Sequence, residues 1–162
     1  MRVVVPGSFD PFTLGHLDVV RRAVALFGDV IVAVGVNATK DHLLSFDERL
    51  ALARQSVEGL AGARAEPMSG LLVDFCRERE VDTIVRGARS GADFEAELGQ
   101  AQMHAALTGL EWVILPATPA WGFVSSTLVR QLARGGGDIG PFVTPAVADH
   151  WRRSGDVHRH SD

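Results

Sequence analysis

The residues of this chain best suited to chemistry are a histidine at a helix start, a scatter of cations and a run of hydroxyls. They are Ser8, Thr13, His16, Lys40, Arg86, Arg89 and Ser125-Ser126-Thr127. Together they suit a phosphate group. The first turn of a helix has backbone N–H groups without intrahelical partners, and these attract anions. An imidazole placed there adds hydrogen bonds, and charge when protonated. Ser125-Ser126-Thr127-Leu128-Val129-Arg130 is a second helix start of this kind, with Arg130 about one turn beyond the serines. Plainer readings exist for each. Pro6-Gly7 makes a turn, His16 sits as a polar helix-start residue, and serine and threonine cap helices well. There is no Gly-x-x-x-x-Gly-Lys-Ser/Thr, and no Gly-x-Gly-x-x-Gly after the first strand, which argues against P-loop NTPases and dinucleotide oxidoreductases.

These side chains need a frame. Apolar runs and helical periodicity predict strands over Arg2–Val5, Val30–Val36, Arg64–Pro67 (weak), Thr83–Arg86 and Trp112–Pro116. Helices are predicted over His16–Phe27, Phe46–Val57, Leu71–Glu80, Asp93–Thr108, Ser126–Arg134 and Pro145–Arg153. Ser45 and Glu48 have capping-box spacing. Gly135-Gly136-Gly137 reads as a helix stop, and Gly155–Asp162, with His158 and His160, as a frayed tail with solvated histidines. Apolar strands alternating with amphipathic helices indicate an α/β domain whose parallel sheet is covered on both faces. In such a sheet ligands bind beyond the carboxyl ends of the strands. Ser8, Phe9 and His16 follow the first strand, and Asn37-Ala-Thr-Lys40 the second. Arg86-Gly87-Ala88-Arg89 ends the fourth, and Trp121 to Thr127 follow the fifth. Only the weak third strand brings no such cluster to this edge. Arg86 closes an apolar run, where an arginine normally needs an anionic partner. Arg89 reads equally as a phosphate contact or as a partner of Asp93. Glu97, taken alone, reads as a solvated helix residue.

The 162 residues are 46% hydrophobic and 22% charged with net charge −4, as in a globular domain without the basic field that favours nucleic acid. Cys76, the single cysteine, cannot form an intrachain disulfide; it lies among Leu72, Val73 and Phe75 as a core residue and suits a reducing cytosol. No secretory signal is expected, and no apolar run approaches the roughly 18 residues that cross a bilayer. One domain over residues 1–162 is expected.

Thr13-Leu14-Gly15-His16 resembles the T/H-x-G-H signature of nucleotidyltransferases, and Ser125 to Arg130 their S-S-[ST]-x-x-[RK] signature. Pro6-Gly-Ser-Phe-Asp-Pro11, Lys40, Phe46-Asp-Glu-Arg49, Arg86-Gly-Ala-Arg89, Asp93-Phe-Glu-Ala-Glu97, Met103 and Trp121-Gly-Phe-Val-Ser-Ser-Thr127 are similar to the phosphopantetheine adenylyltransferases over nearly the whole chain, weakening after about Gly140. The resemblance implies a Rossmann-like, doubly wound, five-stranded parallel sheet of order 3-2-1-4-5. It implies adenylyl transfer from ATP to 4′-phosphopantetheine, giving dephospho-coenzyme A and pyrophosphate in coenzyme A synthesis. His16 and Lys40 are then catalytic. Ser8, Lys40, Leu72 and Arg86 bind the acceptor. Ser8, Phe9, His16, Gly87, Ala88, Arg89, Glu97, Trp121, Gly122, Phe123, Val124, Ser125, Ser126 and Thr127 bind ATP. It also implies Mg²⁺ held mainly by phosphate oxygens and water, a cytoplasmic homohexamer, and feedback inhibition by coenzyme A, with no nucleic-acid or membrane partner. No residue is assigned to the metal, although Asp10 lies near enough to be considered. The chain departs from the family pattern at Ala88, His104, Thr127 and Arg130. The alternatives are nucleotidyl transfer to another phosphorylated acceptor, or non-catalytic ATP binding.

Overall fold

The computed structural model describes residues 1–36 and 41–158. The chain runs β1 (Arg2–Gly7), α1 (Leu14–Phe27), β2 (Asp29–Gly35), α2 (Phe46–Val57), β3 (Ala63–Met68) and α3 (Leu72–Glu78). It continues through β4 (Thr83–Ala88), α4 (Gly91–Thr108), β5 (Glu111–Pro116), α5 (Ser126–Arg134), a short 3₁₀ turn (Gly140–Phe142) and α6 (Pro145–His158). All pairings within the sheet are parallel and the strand order is 3-2-1-4-5, so the expected doubly wound sheet is the observed one. The weak third strand is real, because it pairs with β2 from Val30↔Ala63 to Gly35↔Met68. α6 is longer than expected: the backbone stays helical past Gly155 to His158, and residues 159–162 lie outside those described.

Alternation along the strands sorts the core into two layers. Val3, Val5, Val30, Val32, Val34, Val85 and Leu115 meet apolar residues of α1, α2, α5 and α6. Val4, Ile31, Ala33 and Ile84 point the other way, onto Phe75, Cys76 and Val81. Side chains at successive strand positions face opposite sides of a sheet, so continuous valine runs fit strands buried on both faces. Cys76 is buried in the second layer, and burial pushes its thiol up to about 11. No described helix is long and apolar enough to cross a membrane.

β1 and β4 open the site. They pair only at Val3↔Thr83 and Val4↔Ile84. β1 stays on β2 through Gly7↔Val34, and β4 stays on β5 through Ala88↔Pro116. The two strands therefore part at their carboxyl ends, where the strand order reverses, and a crevice forms between them. α1 packs close over this split. A Cβ placed on Gly87 would lie 2.8 Å from Val19 Cγ2, so β4 reaches α1 only without a side chain there.

Gly87→Ala is expected to destabilise the protein by roughly 1–3 kcal/mol, the usual cost of overpacking. Adding Val19→Ala should return most of that loss, as read by thermal denaturation of the two variants.

Candidate active site

The chain leaving β1 turns sharply at Phe9, whose φ of 50° lies in the left-handed region. Its ring stacks on Phe12 with centroids 5.0 Å apart, and both rings meet His16 edge-on, at 5.0 and 5.6 Å. This aromatic wall shields the imidazole from water on one side. Thr13 then caps α1. Its Oγ1 accepts from His16 N at 3.2 Å, while Thr13 N donates to His16 Nδ1 at 3.1 Å. His16 is thus the third residue of a capping box in which imidazole takes the usual place of glutamate. Because Nδ1 accepts, the neutral ring carries its proton on Nε2, leaving that N–H as a donor for a ligand. Burial, together with the nearby cations Arg86 and Arg89, lowers the His16 pKa from 6.5 to about 4. The imidazole is therefore neutral at pH 7, a donor and not a charge.

His16 faces a cavity of about 360 Å³ at the strand split. Of the expected site residues, Ser8, Phe9, His16, Arg86, Gly87, Arg89, Glu97, Trp121, Val124, Ser125, Ser126 and Thr127 line it. Ala88, Gly122 and Phe123 do not. Phe123 borders a separate apolar groove with Leu128, Leu132 and Phe142. Leu72 packs against the second core layer, away from the cavity. Lys40 lies outside the described residues.

The anionic partner expected for Arg86 is Glu97. Nε donates to Oε2 at 2.8 Å, Nη2 donates to Oε1 at 2.7 Å, and Nη1 donates to the Pro6 carbonyl. Glu97 is only 9% exposed and is the one buried residue of α4, so the solvated reading of it is overturned. Its fork pairing with Arg86 compensates that burial. Arg89 does pair with Asp93, at 2.9 and 3.3 Å, and its Nη1 also reaches the Val124 carbonyl at 3.5 Å. Burial pushes the Asp93 carboxyl up, but its bonds from Arg89 outweigh this and leave it below the usual range. On the opposite wall Ser125 caps α5, with its Oγ accepting from Leu128 N at 3.1 Å, and Ser126 Oγ donates to Pro11 O at 3.0 Å. Arg130 donates to Asp10 O at 2.7 Å and to Thr127 Oγ1 at 3.3 Å. Ser126 thus spends its hydroxyl proton on the fold, whereas Ser125 and Thr127 accept and keep theirs, beside the first backbone N–H groups of α5.

The Asp10 carboxylate is buried and accepts from Leu43 N at 2.8 Å and Leu44 N at 2.9 Å, with His42 Nδ1 at 3.2 Å. It anchors the approach to α2 from the cavity wall. No group of three or more metal-ligating side chains converges among the described residues. Lining residues without a role assigned from sequence include Val19, Ala96 and Ala117, and one buried cation behind the wall was also unassigned. That cation is Arg49, which lies on the apolar stripe Phe46, Leu50, Ala53, Val57 of α2. A charge on a buried stripe was the signal that could have found it.

A strand–loop–helix phosphate cradle at the switch point of a 3-2-1-4-5 sheet is the architecture of a nucleotidyltransferase. Residues 4–132 match the cytidylyltransferase-like family. The solved lipopolysaccharide core biosynthesis protein of Thermoplasma volcanium superposes with a TM-score of 0.52 at 25% identity, covering 73% of this chain and 96% of its own. Phosphopantetheine adenylyltransferases are much closer in sequence. That of a Nocardioides species is 49% identical over 90% of this chain and 92% of its own. That of Streptomyces coelicolor is 45% identical over 91% and 93%, and that of Actinobacillus pleuropneumoniae 47% over 90% and 92%. The chain belongs to the phosphopantetheine adenylyltransferase family.

The histidine electrostatics can be read directly. NMR titration of the ligand-free protein should place His16 near 4 and show the Nε2–H tautomer. A folded pKa below the unfolded 6.5 means that the unfolded chain binds the extra proton first. Stability from this group is thus complete above pH 6.5 and falls on acidification towards pH 4, by no more than about 3 kcal/mol. His16→Gln should flatten that part of the stability–pH curve, measured by urea unfolding.

Proposed function

We propose that this protein transfers the adenylyl group of ATP to 4′-phosphopantetheine, releasing pyrophosphate and forming dephospho-coenzyme A. The observation that carries this reading is that the Thr13–His16 box and the α5 start line one cavity, together with Arg86 and Arg89. The setting is a chain with relatives 44–49% identical that bear this enzyme's name.

An oxygen of the acceptor phosphate attacks the α-phosphorus of ATP. The bond from that phosphorus to the bridging oxygen breaks, and pyrophosphate leaves with the electron pair. The acceptor is already an anion near neutral pH, so no strong base is required. The barrier is dominated by bringing two anions together in line, which makes positioning and charge stabilisation the catalytic means. His16 Nε2–H donates to the α-phosphate without adding or losing a proton. Arg86 takes the acceptor phosphate, with its guanidinium already oriented by Glu97 and Pro6. Arg89 and the first N–H groups of α5 hold the departing phosphates. Lys40 is assigned to the α-phosphate on family resemblance alone. Ser8 and Phe9 sit where the two substrates meet, and Trp121 and Val124 line the ATP side.

Mg²⁺ supplies charge neutralisation on the triphosphate. The cavity carboxylates Asp10, Asp93 and Glu97 are each already engaged with protein donors, which fits an ion carried by phosphate oxygens and water. A homohexamer, feedback inhibition by coenzyme A and a cytoplasmic setting are further parts of the proposal. They rest on family resemblance, joined for the last by the lone buried thiol of Cys76.

Pyrophosphate release from Mg-ATP should depend on 4′-phosphopantetheine and yield dephospho-coenzyme A by mass. ATP binding without release, or release with a different phosphorylated acceptor only, would overturn the assignment. His16→Ala should lose turnover by roughly 10²–10³ while keeping most ATP affinity. Arg86→Ala should raise the KM for the acceptor with ATP affinity largely kept, and equal loss of both would remove its role.

A further inference from the structure

Three arginines from three elements grip the main chain that leaves β1. Arg86 of β4 donates to the Pro6 carbonyl, Arg49 of α2 to Ser8 O at 2.6 Å, and Arg130 of α5 to Asp10 O at 2.7 Å. Arg86 and Arg130 line the cavity and can touch a ligand, but Arg49 is not among the lining residues. Its side chain is 2% exposed, and the same Nη1 that holds Ser8 also donates to Gly35 O at 3.0 Å. One nitrogen thus bridges the carboxyl ends of β1 and β2.

We propose that Arg49 is a positioning residue for the reaction, acting through the Ser8 carbonyl to fix the Ser8–Phe9 turn against the cavity. The proposal rests on the adenylyl-transfer reading above.

The form of the interaction favours geometry over stability. Among the described residues Arg49 forms no ion pair and its buried Nε has no acceptor, while the Asp10 carboxylate eases its burial only through space. A buried cation bonded to carbonyls and not to a carboxylate, with one donor unsatisfied, is an expensive way to fill a core position. Phe46 covers one face of the guanidinium, with 5.5 Å from Cζ to the ring centroid. What the arrangement secures is the path of the chain at Ser8, immediately before Phe9 takes its left-handed φ of 50°. A shift of that turn moves Ser8 and Phe9 in the cavity, and with Phe9 the ring packed against His16. Small displacements of this kind misalign reacting groups, and about 1 Å can cost roughly 10²-fold in rate.

The test compares the wild type with Arg49→Lys, Arg49→Met and Arg49→Ala, assayed for acceptor-dependent pyrophosphate release well below each variant's Tm. Lysine keeps the charge but its nitrogen ends one bond short of the Nη1 position that bridges the two carbonyls, and methionine keeps the volume without a donor. The expected result is a drop in kcat of about 10- to 100-fold for Arg49→Lys and more for Arg49→Met, with the KM for ATP changed only a few-fold. Added guanidinium ion at low concentration should partly restore kcat in Arg49→Ala. If Arg49→Met does not fold, Arg49→Lys and the rescue decide. Lowered Tm with wild-type kcat in Arg49→Lys would assign the residue to stability alone and overturn the proposal. A wild type that releases no pyrophosphate would instead overturn the parent reading, which keeps the two failures apart.

Discussion

β1 and β4 share two register pairs and then separate, and nearly everything else at the site follows from that parting. Parallel strands that stay hydrogen-bonded to their ends leave no room between them. Here each strand keeps its other neighbour and gives up the shared one, so the sheet opens without losing its edges. The opening exposes main-chain carbonyls that no strand can satisfy, and buried carbonyls need donors. Arg86 supplies one across the gap, at Pro6. The absent side chain of Gly87 lets α1 close over the same gap, which brings its N-terminus and the His16 ring to the rim.

The site gathers Arg86, Arg89 and Arg130 within an acidic protein of net charge −4, and Asp10, Asp93 and Glu97 in the same lining balance them. The arginines are not bare. Arg86 lies on Glu97 and Arg89 on Asp93, so each cation is oriented before any ligand arrives. Guanidinium fixed by a carboxylate along one edge keeps further N–H groups for an incoming phosphate. Orientation without ligand lowers the entropic cost of binding, and the paired carboxylates limit the attraction for stray anions. The neutral imidazole contributes hydrogen bonding in the same setting without adding to the charge.

Much of this was legible in the chain. Valine runs and helical periods give the five strands and six helices, because period alone reports burial on one face or two. Capping signals are equally local, and Ser45 with Glu48 forms the expected box. The Thr13-x-Gly-His16 block marked the cradle because it combines a turn, a cap and a functional ring in four residues. What escaped was pairing across the chain. Arg86 called for an anion, but nothing in the polar pattern of α4 distinguished Glu97 from Glu95. Ser125 and Ser126 line the cavity as expected, and their tertiary partners, the α5 start for one and Pro11 for the other, were not legible. Asp10, close in sequence to the site and assigned to no metal, collects the backbone of Leu43 and Leu44. In each case the type of residue was informative and the partner was set by tertiary distance.

The capping box at α1 carries an evolutionary consequence. An imidazole holds its acceptor and donor nitrogens on rigid vectors, so the bond that starts the helix and the N–H offered to a ligand form a single geometric choice. Lysine and arginine have no acceptor for Thr13 N, glutamate has no donor when ionised, and glutamine places its two groups on rotatable bonds. Position 16 therefore cannot drift towards a better cap or a better donor separately. A change at position 16 alters the helix start and the donor offered to a ligand together.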